Sequence, residues 1–194
     1  MERKPKIIVF DLDYTLWPFW VHTHYIAPFR KKSDKVVDAH GNNVIYDPDI
    51  LYIIKRLYEQ GYELGIASRT KEIEGAKQLL NLFGWDKYFK YVEIYPGTKV
   101  AHFSNIQKNS KVRYRDMLFF DDEYRNIVEI GKLSVYTVLV TNGVTQDLIE
   151  KSLKAFNCQL CEHIEVQACG LEYSCFQNVI ESSSFIPISF RKRL

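Results

Sequence analysis

Lys6-Ile7-Ile8-Val9-Phe10 is a short, unbroken apolar run that stops abruptly at Asp11. A strand with one wet face would alternate apolar and polar residues. A continuous run instead suits a strand covered on both faces, as in a parallel sheet. The pattern recurs down the chain. Leu64-Gly65-Ile66-Ala67 ends at Ser68, and Tyr91-Val92-Glu93-Ile94-Tyr95 is stopped by Pro96-Gly97. Met117-Leu118-Phe119-Phe120 ends at Asp121-Asp122, and Val135 to Val140 reads as a last strand.

Amphipathic stretches lie between these runs. Asp47 caps the first, Pro48 sits in its first turn, Ile50, Leu51, Ile54, Leu57 and Tyr58 form its apolar face, and Gly61 closes it. A second helix is predicted from Lys71 to Phe83, with Ile73, Ala76, Leu79 and Leu80 inward. A short helix starts near Lys99, another runs to Gly131, and the last spans Thr145 to Phe156. Strands alternating with helices predict an α/β fold with a doubly wound, mainly parallel, Rossmann-like sheet. One segment interrupts the alternation. Val36-Val37-Asp38 and Val44-Ile45-Tyr46 flank the polar turn Ala39-His40-Gly41-Asn42-Asn43, which predicts a small β-hairpin flap over the site at about 35–47.

The expected organisation is one domain over residues 1–157, followed by a C-terminal tail at 158–194 with no clear period. Of the 194 residues 46% are hydrophobic and 14% aromatic, enough to build a core. Lys and Arg number 26 against 24 Asp and Glu, for a net charge of +2. So even a balance speaks against a nucleic-acid or membrane partner. With no signal-peptide pattern and no ~20-residue apolar run, the expected setting is a cytoplasmic monomer. Cys158-Gln-Leu-Cys161 is a C-x-x-C, but Cys169 and Cys175 do not complete a zinc spacing, so plain thiols are expected.

The chemistry gathers at the strand ends. Ligands of open α/β sheets bind at the carboxyl ends of the strands. Asp11 and Asp13, spaced by one residue, can face one pocket, and their like charges favour a cation between them. Ser68 can hold a phosphoryl oxygen or cap the following helix, and the two roles can coexist. Asp121 and Asp122, adjacent at a buried strand end, call for a metal or a basic partner. Lys99 alone would read as a surface lysine, but beside carboxylates and a phosphate it becomes a charge neutraliser. The aromatic loop Trp17-Pro18-Phe19-Trp20 is expected to pack beneath the flap or to wall an aryl or sugar leaving group. A zinc site from His22, His24 and His40 lacks any spacing that would fix it.

Asp11-x-Asp13-x-Thr15, Ser68, Lys99 and Asp121-Asp122 together match the four motifs of the haloacid dehalogenase superfamily. Val9 to Trp20, Ala67-Ser68-Arg69-Thr70, Glu93 to Lys99 and Phe119 to Glu123 more specifically resemble the eukaryotic magnesium-dependent phosphatase 1 family, over roughly residues 5 to 157. The tail departs from that family's usual short ending. The resemblance implies a haloacid dehalogenase fold and a phosphomonoester hydrolase using Mg²⁺. In that scheme Asp11 is the nucleophile and Asp13 the general acid and base. Ser68, Lys99 and backbone amides around Leu12 hold the phosphoryl group. Arg69 either touches substrate or makes a surface ion pair. Metal ligands are Asp11, the Asp13 carbonyl and a carboxylate of the Asp121–Asp122 pair, with Asp122 slightly favoured as the direct one.

A hairpin is a small cap, so the pocket should be open to phosphotyrosine on a protein surface or to sugar phosphates, the two substrate classes the resemblance implies. The sequence leaves both open. Its rivals are a phosphomutase or a nucleic-acid phosphatase on the same fold, and a non-catalytic phosphoprotein-binding module. A phosphomutase would want a larger cap to shield the intermediate from water. A nucleic-acid phosphatase would want a broad basic surface, and a binding module would not need both Asp11 and Asp13.

Overall fold

Strand β1 (Ile7–Phe10) has no solvent exposure and lies at the centre of a five-stranded parallel sheet. The computed structural model describes residues 3–165, with side chains through Cys158. β1 pairs on one side with β4 (Glu63–Ser68), which pairs with β5 (Phe89–Ile94). On its other side it pairs with β6 (Met117–Asp121), which pairs with β7 (Tyr136–Leu139). The order β5-β4-β1-β6-β7 reverses direction at β1, the arrangement of a doubly wound fold.

Successive residues of each strand point to opposite faces, and both faces are covered. Ile8, Phe10, Leu64, Ile66, Leu118 and Phe120 share one cluster with α2 (Asp49–Glu59), α3 (Ile73–Leu82) and α6 (Gln146–Glu165). Ile7, Val9, Ala67, Met117 and Phe119 face the other side, against Phe103 and Ile106 of α4 (Lys99–Ser110) and Ile130 of α5 (Tyr124–Gly131). This double coverage explains why the strands read as unbroken apolar runs.

Several expected details shift. The buried face of α2 is Ile50, Ile53, Ile54 and Leu57, whereas Tyr58 is exposed, because Ile53 lies between Ile50 and Leu57 on the inward stripe. Gly61, at φ 86°, closes α2 in the left-handed region, and the next amide, of Tyr62, donates back to Leu57. The helix expected to be short from Lys99 runs for twelve residues. A four-residue helix, α1 (Val21–His24), was not expected from the sequence.

The expected hairpin is present in short form, with Val37 bridged antiparallel to Asn43 and the Val44 amide donating to the Val36 carbonyl (2.8 Å), and a further strand precedes it. β2 (Arg30–Lys32) pairs antiparallel with β3 (Lys35–Val37), so the basic residues Arg30, Lys31 and Lys32 form a strand. The segment after it is a turn organised by Asp38. Its carboxylate accepts from the amides of His40 (3.0 Å), Asn42 (2.8 Å) and Ile26 (3.4 Å) and from the Asn42 side chain (3.1 Å). Burial pushes the Asp38 carboxyl up, but these hydrogen bonds outweigh it and hold it below the ordinary range. A depressed carboxyl contributes stability above its unfolded value of about 4 and loses it as pH falls through the folded value. Asp38→Asn should therefore lower Tm at pH 7, and the gap to the parent should close towards pH 3. A gap that persists at pH 3 would mean that charge at Asp38 is immaterial.

Among the described residues no helix is long and apolar enough to cross a membrane. Cys158 is an exposed free thiol. The side chain of Cys161, and Cys169, Cys175 and the rest of the tail expected at 158–194, lie outside the described residues, apart from the end of α6.

Candidate active site

The chain leaves β1 through a tight turn. The Leu12 carbonyl accepts from the amides of Thr15 (3.2 Å), Leu16 (2.8 Å) and Trp17 (3.2 Å), and Tyr14 sits inside the turn at φ 55°. A side chain in that region costs about 1–2 kcal/mol. The turn brings Trp17 back so that its indole N–H donates to Asp13 Oδ1 at 2.7 Å. Trp17 and Phe19 are core residues, as expected of the aromatic loop, while Trp20 stays about half exposed and lines the cleft.

Asp11, Ser68 and Asp121 end three adjacent strands, and their side chains converge. Lys99, the first residue of α4, is almost fully buried between them. Its ammonium donates to Asp11 Oδ1 (2.6 Å), to Asp121 Oδ2 (3.0 Å) and to the Ala67 carbonyl. The carboxylates of Asp11, Asp121 and Asp122 each present an oxygen within 4.8 Å of the others, and they are the one such cluster among the described residues. Asp11, Ser68, Lys99 and Asp122 open onto a cleft of about 250 Å³ that is also lined by Asp13, Arg69, Lys71 and Arg125. A larger hollow of about 430 Å³, lined by Arg3, Arg56, Tyr62 and Lys154 among others, shares none of these residues.

The electrostatics follow from the count of charges. Asp11, Asp13, Asp121 and Asp122 face one buried ammonium. Burial pulls Lys99 down, but Asp11 and Asp121 together hold it up, so it stays charged. One ammonium shared by two carboxylates does not satisfy both. Burial pushes the Asp11 carboxyl up, Lys99 pulls it back, and Asp121 adds to the rise. Burial, reinforced by Asp121, lifts Asp122 to about 6. Burial also raises Asp13, against the hydrogen bonds from Trp17 and the Val21 amide. An added cation is the missing counter-charge, and the hard oxygen donors fit a hard ion.

Asp121 and Asp122 differ in kind. Asp121 is fully buried, and its oxygens already accept from Lys99, Asn126 Nδ2 (3.0 Å to each oxygen) and the Glu123 amide (2.7 Å). Asp122 lines the cleft. Leu12 contributes no side chain to the cleft, since it is buried in the core, so only its backbone can reach a ligand. Arg69 sits at the rim, 3.4 Å from Glu123 and 3.3 Å from the Asn126 side chain. His22 lines the cleft, His24 packs near Tyr14 and Trp20, and His40 lies in the Asp38 turn, so the three make no shared site. No residue of the hairpin lines the cleft, and the neighbouring chain packs on α3, where the Phe29 amide donates to Gln78 (2.8 Å). Asn126 and Trp17 escaped the sequence reading as partners of the carboxylates. Asn126 lies outside the strand-end motifs, and Trp17 read only as part of the aromatic loop.

Fold, strand-end carboxylates and the sequence relatives below together place the chain among hydrolases of the haloacid dehalogenase type. The family model described as Acid Phosphatase matches residues 3–159, and the chain belongs to that family. It is 48% identical over 157 residues to human Magnesium-dependent phosphatase 1, covering 80% of this chain and 89% of that protein. A HAD-like hydrolase superfamily protein of Schizosaccharomyces pombe is 43% identical over 143 residues, covering 68% and 83%. Among solved structures, a phosphatase domain from Bacteroides fragilis complexed with Mg superposes with a TM-score of 0.57 at 15% identity, over 80% of this chain and 40% of that one.

Proposed function

We propose that the chain is a magnesium-dependent phosphomonoester hydrolase working through an aspartyl phosphate on Asp11. The observation that carries this reading is the cluster of Asp11, Asp121 and Asp122 around buried Lys99 at adjacent strand ends. Asp11 and Asp122, with the Asp13 carbonyl, would hold the ion, and Asp121 would stay behind them, tied to Lys99 and Asn126. Magnesium would neutralise the carboxylates and the phosphoryl oxygens and orient them, and the magnesium dependence named for the human relative supports that choice.

Asp11 attacks phosphorus in line with the leaving oxygen and forms an acyl phosphate. Lys99 and Ser68 hold the oxygens over which the transferring group spreads its charge. Asp13, whose raised carboxyl can keep a proton, gives it to the leaving alkoxide or phenoxide, then takes one from the water that hydrolyses the intermediate. Trp17 and the Val21 amide hold the Asp13 carboxyl for both steps. For substrates, the open cleft and the exposed face of Trp20 suit phosphotyrosine on proteins, and sugar phosphates fit the same polar rim. Among the described residues the short hairpin stands away from the cleft, whereas a phosphomutase would need a cap to shield its intermediate.

Removing divalent metal should abolish turnover of an aryl phosphate, and Mg²⁺ should restore it. Initial rates are measured after exhaustive chelation and again after back-titration. Undiminished turnover in excess chelator would sink the magnesium reading.

A further inference from the structure

His102 stands three residues after Lys99 on α4, so the two side chains leave the same face of the helix. They grip consecutive carbonyls at the end of β4. Lys99 takes that of Ala67, and His102 Nε2 lies 2.9 Å from that of Ser68. The same nitrogen is 2.9 Å from the carbonyl of Tyr95, the residue after β5. Nδ1 is 2.8 Å from the carbonyl of Thr98, within its own turn. The ring is fully buried and stacks on Tyr95 with centroids 4.1 Å apart and planes 8° from parallel. Carbonyl oxygens only accept, so here the imidazole serves as a donor.

We propose that His102 is a positioning residue for phosphoryl transfer, pinning the ends of β4 and β5 to α4 so that Ser68 and Lys99 are held in fixed relation to Asp11. The proposal rests on the catalytic reading above. Ser68 arrives on β4, Lys99 on α4 and Asp11 on β1, so no backbone segment shared by the three sets their spacing. The Ser68 carbonyl is held on two sides, by the Tyr95 amide at 3.1 Å and by His102. Without the imidazole contact, β4 and α4 could slide past each other by the fraction of an ångström that in-line geometry does not tolerate. The bland alternative is a buried histidine that only stabilises the fold. It predicts a lower Tm with normal chemistry in whatever protein remains folded.

Three variants separate the two. His102→Phe keeps the ring and its stacking but deletes both ring nitrogens. His102→Gln can place an amide N–H near Nε2, and His102→Asn can place one only near Nδ1. Kinetics on p-nitrophenyl phosphate with saturating Mg²⁺, well below each Tm, should show kcat of His102→Phe falling by up to about 100-fold with KM within about threefold. His102→Gln should recover most of the loss, and His102→Asn should not. Phosphorylated Asp11 trapped by rapid quench gives the active fraction, so that misfolded protein is not mistaken for slow protein. The proposal is overturned if His102→Phe keeps kcat per active site within threefold, if Asn rescues as well as Gln, or if neither Phe nor Gln variant folds. A parent enzyme without turnover would instead overturn the catalytic reading on which this one rests.

Discussion

Asp11→Asn should reduce kcat on an aryl phosphate by about 10⁴-fold or more, the scale of losing a covalent nucleophile. The amide has the same shape but no anionic oxygen to attack phosphorus. Labelled substrate, quenched within a turnover, should leave acid-stable label on the parent chain at Asp11 and none on the variant. The same variant should not be unfolded. In the folded protein the Asp11 carboxyl is raised, so its charged form costs stability at neutral pH, and a neutral amide relieves the repulsion with Asp121. The expected Tm in chelator is equal to the parent's or higher, and the gain in Tm on adding Mg²⁺ should shrink, since one ligand is gone. A variant that keeps more than a few per cent of parental kcat would remove Asp11 from the nucleophile's role.

Lys99→Ala should damage both catalysis and stability. Losing a buried donor to the transferring group costs on the order of 10²–10³ in kcat. Deleting one partner of a buried ion pair costs roughly 3–5 kcal/mol, because the partners left behind are uncompensated. Here Asp11 and Asp121 would both lose the ammonium, which is nearly fully buried at 2.6 and 3.0 Å from them. Magnesium supplies charge to the same carboxylates. The variant should therefore melt well below the parent in chelator and recover part of the difference when the ion is added. Thermal melts with and without Mg²⁺, alongside kcat/KM, test both halves. Unchanged melting and kcat/KM within threefold would return Lys99 to the status of a bystander.

The site's strand-end residues were legible because of where the hydrophobic signal breaks. A strand covered on both faces is an unbroken apolar run, and Asp11, Ser68 and Asp121 stand where three such runs stop. The strand ahead of the expected hairpin was missed for the converse reason. Arg30, Lys31 and Lys32 are exposed throughout, so they carry no alternation to mark a strand. Val44 and Ile45 look like strand residues, but the pairing stops at Val44, which bonds to Val36, and Ile45 is 70% exposed. The burial of Lys99 runs against the habit of lysines, and only the charges around it justified the expectation. His102 had no such neighbours in sequence, since the Ser68 carbonyl lies 34 residues away and meets it only after helix and strand have packed. Asn126 follows Asp121 by five residues, but an amide within a helix carries no signal of its own.

The place of β1 in the sheet also bears on synthesis of the chain. This strand is made first of the five and lies in the middle, between β4 and β6. As the chain leaves the ribosome, β4 and β5 can close one side of it. The other side stays bare until Met117–Asp121 has emerged. During that interval the most apolar strand of the sheet shows an unpaired edge, the kind of surface that recruits another chain. The halves of the protein are thus unequal in risk. A nascent chain that stalls before β6 carries an open, sticky edge, whereas one that has passed it needs only β7, a strand of four residues, to complete the sheet.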